Sequence, residues 1–130
     1  GIFTYAGRTA VPDEAVARIA REEAVRLNVK QLENVTDEEI IERLMYSMIN
    51  EGALILEEEI AMRSSDIDVV FVHGYGMPRY RGGPMRYGDT VGLAKVVQAM
   101  EKYRVRYGDT YWTPAPLLSK LAASGGSFSD

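Results

Sequence analysis

Residues 36–62, TDEEIIERLMYSMINEGALILEEEIAM, decide the fold. Thr36 and Glu39 form a capping box, in which the threonine accepts the amide of Glu39 and the glutamate reaches back. Apolar residues then recur on one broad stripe, formed by Ile41, Met45, Met48, Gly52, Ile55 and Leu56 and widened by Ile40, Leu44, Ile49, Ala53 and Ile60. So broad an apolar face predicts a central helix that packs on more than one side.

The chain before and after this helix carries further helix signals. Pro12-Asp13-Glu14 suits a helix start, with proline and acids in the first turn, and Asn28 suits its stop. Ser64-Ser65-Asp66 caps the segment DIDVVFVH, which favours a strand by propensity and fits a short buried helix equally well by its cap and its acidic first turn.

The C-terminal third predicts two more helices. A cap at Asp89 or Thr90 opens a helix that ends at Gly108, with its apolar stripe formed by Leu93, Val96, Val97, Met100 and Tyr103. Pro114 and Pro116 open a short helix, PLLSKLAA.

Length and composition agree with one helical domain. The chain has 130 residues, of which 46% are hydrophobic and 26% are charged, values typical of a single domain with one core. We predict an all-α fold of four or five helices. Residues 1–12 are expected to form a linker, residues 13–123 the helical domain, and residues 124–130 a flexible tail.

Several classes of function are disfavoured. The sequence has no cysteine, which excludes disulfides and thiolate chemistry, and no apolar run approaches the roughly 20 residues of a membrane span. The first residues lack the pattern of a signal peptide, and a chain that begins at Gly1 is expected of a processed or excised fragment. The net charge of −4 argues against a general nucleic-acid binder.

The charges are unevenly distributed. Residues 33–68 carry eleven acids and two arginines, a balance of −9, and residues 79–106 carry seven bases and two acids, a balance of +5. Two solvated faces explain this pattern. The alternative is a basic patch that meets an anionic ligand or an acidic partner surface.

Residues 74–89, GYGMPRYRGGPMRYGD, gather five glycines, two prolines, three arginines and three tyrosines. A phosphate cradle is one interpretation, and a tight connection between helices is the other. The third glycine of a dinucleotide fingerprint is replaced by Arg79, and no P-loop sequence is present. The candidate structural or interface residues of this glycine-rich loop are Gly74, Gly76, Pro78, Arg79, Arg81, Gly82, Gly83, Pro84 and Arg86.

Other candidate residues lack a complete constellation. His73 is the only histidine, and it needs an orienting carboxylate to act as a base. Asn50 interrupts the apolar face of the long helix, and we expect loop backbone, most naturally from the glycine-rich loop, to satisfy its amide. Glu57-Glu58-Glu59 is expected to be a solvated helix edge rather than a cation site.

Residues 36–93 closely resemble the C-terminal part of L-3-hydroxyacyl-CoA dehydrogenases, above all in multifunctional β-oxidation proteins that fuse enoyl-CoA hydratase to this dehydrogenase. The resemblance rests on Asn50-Glu51-Gly52, Ser65-Asp66-Ile67-Asp68, and Gly74-x-Gly-x-Pro with Arg81-Gly-Gly-Pro. Tyr5-x-Gly-Arg resembles the preceding linker. The family's region is α-helical, of the 6-phosphogluconate dehydrogenase C-terminal type, which favours a helix over residues 65–73.

The resemblance also implies which copy of the domain this is. Multifunctional members carry the region twice in tandem: the first copy completes the active site, and the second, which this chain resembles, packs on the first. The first copy has an Asn-Arg pair near the start of its long helix, and the Asn contributes to the active site. The matching positions here are Glu42-Arg43, so a carboxylate replaces the amide.

The resemblance therefore implies a non-catalytic domain of an enzyme that oxidises L-3-hydroxyacyl-CoA with NAD and is also an enoyl-CoA hydratase. It implies no catalytic, cofactor-binding or metal-binding residue in this chain, because the catalytic His–Glu pair and the NAD site lie upstream. The implied partners are the preceding domains of the parent and, in the parent, acyl-CoA. The implied location is the bacterial cytoplasm.

The arginines and glycines then admit two interpretations. We expect Gly82-Gly83-Pro84 to turn sharply through positive φ, close to the long helix, while Arg79, Arg81 and Arg86 meet acids on a neighbouring domain. The alternative is an acyl-CoA-binding module in which these arginines contact the CoA phosphates. The isolated chain is expected to form a homodimer through the stripes of residues 36–62 and 93–103.

Overall fold

The computed structural model describes residues 2–29, 32 and 34–129. The chain divides into two compact units, Gly1–Val35 and Thr36–Asp130. The first unit holds a small hairpin and one helix, and the second holds five helices, so the all-α prediction is confirmed with six helices in the described residues rather than four or five.

The first unit begins with a two-stranded antiparallel sheet. Strand β1 (Phe3–Ala6) pairs with β2 (Thr9–Pro12), so the segment that the sequence predicts as a linker contains a hairpin. Helix α1 (Glu14–Arg26) follows, and the Asp13 carboxylate caps it by accepting the amide of Ala15 at 2.9 Å. None of the residues of α1 is buried.

The long helix α2 (Asp37–Glu57) opens the second unit. Thr36 caps it, accepting the amide of Glu39 at 3.1 Å as the capping box predicts. The Glu39 carboxylate accepts the Tyr107 hydroxyl at 2.8 Å, where the capping box predicts a bond to the Thr36 amide. The helix ends five residues before the predicted Met62 because the chain turns through positive φ at Glu59.

Helix α3 (Ser64–Gly74) confirms helix over strand for this segment. Its start differs from the prediction. The N-cap is Arg63, with no side-chain cap bond, and the Ser64 hydroxyl instead donates to the Phe128 carbonyl at 2.9 Å.

The region after α3 is more helical than predicted. A 3-10 turn (Arg79–Arg81) precedes α4 (Pro84–Val91), which begins inside the glycine-rich loop with Pro84 in its first turn. Gly92 has φ of 94° and separates α4 from α5 (Leu93–Tyr107). Helix α6 (Pro116–Ser124) ends the unit.

The core of the second unit lies between α2, α5, α6 and the loop before α6. Its buried members are Tyr46, Ile49, Ala53, Leu93, Val96, Met100, Tyr103, Trp112, Ala115 and Leu118. The apolar stripe of residues 93–103 is therefore buried inside this core. It is not exposed for binding a second copy of the chain, as the expected homodimer requires.

The last described residues are packed on the core. Phe128 contacts the core cluster, and the Asp89 carboxylate accepts both the Phe128 amide, at 2.8 Å, and the Ser129 hydroxyl, at 2.7 Å. These contacts lie within residues 124–130, the segment that the sequence predicts as a flexible tail. No helix within the described residues has the length and apolar character needed to cross a membrane.

Candidate functional site

The glycine-rich loop is organised around the carboxylate of Asp68, on α3. This carboxylate accepts the amides of Met85 at 2.8 Å and of Arg86 at 3.1 Å. Both amides belong to the first turn of α4, whose amides have no partner inside the helix. Asp68 therefore caps α4 from a neighbouring helix and fixes where the loop ends.

Gly83 is required in this loop because of a close approach rather than a positive φ. Its φ is −90°, but a Cβ placed there would overlap the backbone Cα of Asp68 and come within 2.5 Å of its Cβ. The positive φ values belong to Gly76 and Gly82, at 74° and 69°. The element that the turn approaches is α3, and this corrects the expectation that Gly83 packs on the long helix.

The contact with the long helix is made two residues later, by Met85. This side chain is fully buried, and its thioether lies where a Cβ on Gly52 of α2 would have to be. Gly52 and Gly83 thus bring α2, α4 and α3 close together. The motif Asn50-Glu51-Gly52 and the motif Arg81-Gly-Gly-Pro meet through this packing.

The occupied amides bear on the phosphate-cradle interpretation. Helix N-termini bind anions through free amides, yet the amides at the start of α4 already face the Asp68 carboxylate. Burial raises the pKa of Asp68, and the two amide hydrogen bonds oppose that shift. A phosphate at this position would meet a carboxylate, so the backbone of the loop offers no cradle.

The arginines of the loop point to solvent. Arg79, Arg81 and Arg86 are exposed, and none of them forms an ion pair with another residue in the described part of the chain. The Arg81 guanidinium lies 5.4 Å from the ring centroid of Tyr80, which is itself exposed. These guanidinium groups are therefore accessible to a partner.

The other candidate residues of the loop are structural. Gly74 is the last residue of α3, and Pro78 precedes the 3-10 turn. Pro84 is buried in the first turn of α4. His73 lies exposed in the last turn of α3. No group of three or more His, Asp or Glu side chains in the described residues could hold a metal ion.

Asn50 is satisfied by loop backbone, as predicted, but by a different loop. Its Nδ2 donates to the Thr113 carbonyl at 3.0 Å, and its Oδ1 accepts the Ala115 amide at 2.7 Å. Asn50 thus joins the middle of α2 to the start of α6 and does not contact the glycine-rich loop. Both the Nδ2 and the Oδ1 atom of Asn50 are thus engaged with backbone groups, which supports a structural role for this residue.

The side chains of Glu42 and Arg43 also make contacts within the fold. The Tyr103 hydroxyl donates to the Glu42 carboxylate at 2.7 Å, and the Tyr46 hydroxyl makes a longer contact at 3.5 Å. Burial, with the neighbouring Glu42 carboxylate, raises the pKa of Tyr46 to about 12, and the same two causes raise the pKa of Tyr103. The Arg43 guanidinium stacks 4.5 Å from the Tyr107 ring centroid.

The sequence predicts neither the Asp68 cap on α4 nor the hydrogen bond between Glu42 and Tyr103. The Glu42–Tyr103 bond joins residues 61 positions apart, and no local pattern indicates it. The sequence pattern favours a place for Asp68 in the acidic first turn of its own helix. In the structure α3 begins at Ser64, its first turn contains Asp66, and Asp68 lies beyond that turn and caps α4 instead.

Two exposed apolar surfaces remain on the second unit. The α3 groove has a volume of 590 Å³ and is lined by Ile55, Ile60, Ala61, Met62, Asp66, Ile67, Val70, Phe71 and Tyr75. The α2 patch has a cavity of 360 Å³ and is lined by Ile40, Arg43, Leu44, Ser47, Tyr111 and Trp112. Concave apolar surfaces of this kind are typical of binding or docking sites.

Comparison with known proteins identifies a family match and several relatives of this chain. Residues 40–127 match the family described as "3-hydroxyacyl-CoA dehydrogenase, C-terminal domain". The peroxisomal bifunctional enzyme of Danio rerio is 42% identical over 117 residues, which cover 89% of this chain and 16% of that protein. The peroxisomal bifunctional enzyme of Homo sapiens is 47% identical over 92 residues, or 70% of this chain and 13% of that protein.

A bacterial relative shows the same partial coverage. The fatty acid oxidation complex subunit alpha of Shewanella amazonensis is 44% identical over 90 residues, which cover 69% of this chain and 13% of that protein. The chain therefore spans less than a fifth of the length of these curated relatives.

Proposed function

The chain belongs to the 3-hydroxyacyl-CoA dehydrogenase C-terminal domain family, and we propose that it is a non-catalytic helical domain of a multifunctional fatty-acid β-oxidation enzyme. In this proposal the parent oxidises L-3-hydroxyacyl-CoA to 3-ketoacyl-CoA, with NAD bound in an upstream domain, and also hydrates enoyl-CoA. The helical domain packs on the preceding domains and takes the place of the second subunit of a dimer.

The observation that carries this proposal is the environment of Glu42. An active-site side chain at this position has to keep its polar group free for the substrate. Here the carboxylate accepts the Tyr103 hydroxyl at 2.7 Å, and the neighbouring Arg43 lies against Tyr107. Both side chains serve the contact between α2 and α5, so the position supports structure rather than chemistry.

The relatives support the wider parts of the proposal. Those from Danio rerio and Homo sapiens are named bifunctional enzymes, and each is several times longer than this chain. A parent with several domains supplies the preceding domains as partners and gives acyl-CoA and NAD a place to bind. The proposed bacterial cytoplasmic location rests on the bacterial relatives, whereas the peroxisomal relatives favour the peroxisome.

The direct test is a dehydrogenase assay on the isolated chain. NADH oxidation with acetoacetyl-CoA is expected to equal the buffer blank, because the proposal places the NAD site and the catalytic His–Glu pair in an upstream domain of the parent. Glu42→Asn, which restores the amide, is expected to stay equally inactive. Measurable turnover by the purified chain would overturn the proposal, and a single-function dehydrogenase in the same assay is the positive control.

A second candidate function, CoA binding through the arginines of the glycine-rich loop, is favoured by one observation. Arg79 and Arg81 are exposed and make no ion pair with another described residue, and arginine suits phosphate. The Asp68 carboxylate at the start of α4 disfavours it. Titration calorimetry with CoA separates the two: we expect no saturable binding, whereas binding that disappears in Arg79→Gln/Arg81→Gln would establish the second function.

A further inference from the structure

An arginine in the α2 patch has no anionic partner. The Arg43 guanidinium forms no ion pair and no hydrogen bond with any other residue that the structure describes. Its Nε atom has neither solvent access nor a hydrogen-bond partner, although a buried donor without an acceptor is costly and rare in proteins. The guanidinium stacks on the Tyr107 ring, 4.5 Å from the centroid. A ring face attracts a cation, but it does not neutralise the charge.

The acids that lie closest to Arg43 in the sequence are engaged with other residues. Glu39, one turn earlier on α2, accepts the Tyr107 hydroxyl at 2.8 Å and pairs with Arg106 at 3.3 Å. Glu42, the preceding residue, accepts a tyrosine hydroxyl of α5 at 2.7 Å. Neither carboxylate forms an ion pair with Arg43. The positive charge of Arg43 is therefore left without an ion pair in the described part of the chain.

The other residues that line the cavity are apolar or already hydrogen-bonded. Ile40 and Leu44 lie one turn apart on α2 and are 46% and 58% exposed. Tyr111 and Trp112 come from the segment between α5 and α6. The Ser47 hydroxyl donates to the backbone carbonyl of the residue three positions before it, at 2.9 Å. The lining thus combines aliphatic and aromatic surface with the unpaired cation.

We propose that the α2 patch binds a small amphipathic monocarboxylate, with its carboxylate on Arg43 and a short alkyl chain or a single ring in the cavity. The arginine fork matches a carboxylate with two parallel hydrogen bonds. Because Nε has no solvent access, the guanidinium has to turn from the Tyr107 ring toward the cavity for both bonds to form. The volume of 360 Å³ is at the lower end of small-molecule sites, about 300–1,000 Å³, which sets the size of the ligand. This inference goes beyond the proposed function and does not depend on it.

The charge of the head group selects the carboxylate over other ligand classes. An amine would face Arg43 as a like charge, which is unfavourable, and an alcohol would leave the arginine charge without an anion. A phosphate monoester carries a charge of about −1.5 to −2, more than one unpaired cation between Glu39 and Glu42 balances. A carboxylate matches that cation one for one. Its apolar body meets the aliphatic and aromatic lining, whose burial favours binding.

The first test is titration calorimetry of the chain at neutral pH, with octanoate as the probe and octanol and octylamine as ligands of equal alkyl length. We expect saturable binding of octanoate at one site and at least tenfold weaker binding of octanol and octylamine. The emission of Trp112, the single tryptophan and part of the lining, should change with the same midpoint. Absence of saturable octanoate binding, or equal binding of octanol, would overturn the proposal. Heat of binding without a change in Trp112 emission would place the ligand elsewhere and overturn it as well.

The second test removes the cation. Arg43→Gln should raise the octanoate dissociation constant at least tenfold and leave octanol binding unchanged, because only the head-group contact is lost. Arg81→Gln is the matched control, since Arg81 is an exposed arginine outside the lining. Leu44→Glu, at an exposed position, keeps Arg43 on the Tyr107 ring and should also weaken octanoate binding at least tenfold, because it adds a like charge beside the carboxylate. Octanoate binding that is unchanged in Arg43→Gln, or equally reduced in Arg81→Gln, would refute the role of Arg43.

Octanoyl-CoA separates this site from an acyl-CoA site. It carries the same alkyl chain without a free carboxylate, so it should bind at least tenfold more weakly than octanoate. Octanoyl-CoA binding as tight as that of octanoate would make the α2 patch an acyl-CoA site and overturn the proposal. Dehydrogenase activity in the isolated chain would refute the proposed function and leave this site untouched, whereas a chain that does not bind octanoate would refute only the site.

Discussion

Gly83→Ala tests the closest backbone approach in the domain. The added Cβ would overlap the Cα and a carboxylate oxygen of Asp68 and come within 2.5 Å of its Cβ, whereas ordinary contacts start at 3.4 Å. The Cβ contact alone requires the loop and α3 to separate by at least about 0.9 Å, the difference of the two distances. The Asp68 carboxylate accepts the Met85 amide at 2.8 Å, and this displacement lengthens the bond to about 3.7 Å or more, beyond the hydrogen-bonding range.

The expected cost combines two effects. Overpacking a tightly packed site costs about 1–3 kcal/mol, and losing a hydrogen bond to a charged group costs about 1.5–3 kcal/mol. We therefore expect Gly83→Ala to lower the free energy of unfolding by about 3–5 kcal/mol, a large part of the 5–15 kcal/mol of a typical domain. Urea unfolding measures it, with the buried Trp112, the single tryptophan, as the fluorescent probe.

Two glycines provide controls that separate crowding from backbone conformation. Gly92 has φ of 94° and nothing within 4 Å of its added Cβ, so Gly92→Ala should show only the strain of a positive φ, about 1–3 kcal/mol. At Gly82 the added Cβ meets the flexible Arg86 side chain and the cost should be similar. The surface change Glu58→Ala should stay within about 0.5 kcal/mol. If Gly83→Ala costs no more than Gly92→Ala, the reasoning from close approach is refuted.

Substitutions at three positions of α2 probe the hydrogen bonds that hold this helix. Asn50→Ala should lower the free energy of unfolding by about 2–4 kcal/mol, because two backbone groups lose their partner; a loss below about 1 kcal/mol in urea would contradict it. Above pH 10 stability should fall with rising pH, because tyrosines of the unfolded chain ionise near 10 while Tyr46, with its pKa raised to about 12, stays protonated in the fold. Tyr46→Phe should make that slope shallower by about 1.4 kcal/mol per pH unit, and an unchanged slope would refute the burial of the Tyr46 hydroxyl. Glu42→Gln keeps an acceptor for Tyr103, so it should cost about 1–3 kcal/mol less than Glu42→Leu, and equal unfolding midpoints would show that the hydrogen bond is unimportant.

The helices were predictable because their signals are local. The Thr36 cap and the periods of the apolar stripes in α2 and α5 all follow from residues three or four positions apart. The break at Gly92 and the start of α4 at Pro84 were missed because the glycines nearby suggested one long loop. The hairpin of β1 and β2 was missed although five of its eight strand residues favour strands, because each strand has only four residues.

The structural role of the candidate residues was predictable, whereas the residues that they contact were not. Sequence reasoning identified Asn50 as a buried amide satisfied by loop backbone, and the structure supplies Thr113 and Ala115 as its partners. Which loop reaches a buried amide depends on how the helices pack, and that information is spread over the whole chain. The need for glycine at position 83 was likewise correct, while its cause, the backbone of Asp68, lies 15 residues away in sequence.

The Glu42 carboxylate is held by the fold rather than left free. A half-buried carboxylate needs a hydrogen-bond donor, because burying a charge without one is costly. The Tyr103 hydroxyl fills this need at 2.7 Å, and the bond joins the start of α2 to the C-terminal half of α5. This contact therefore strengthens the packing of α2 on α5, as the proposed non-catalytic role requires.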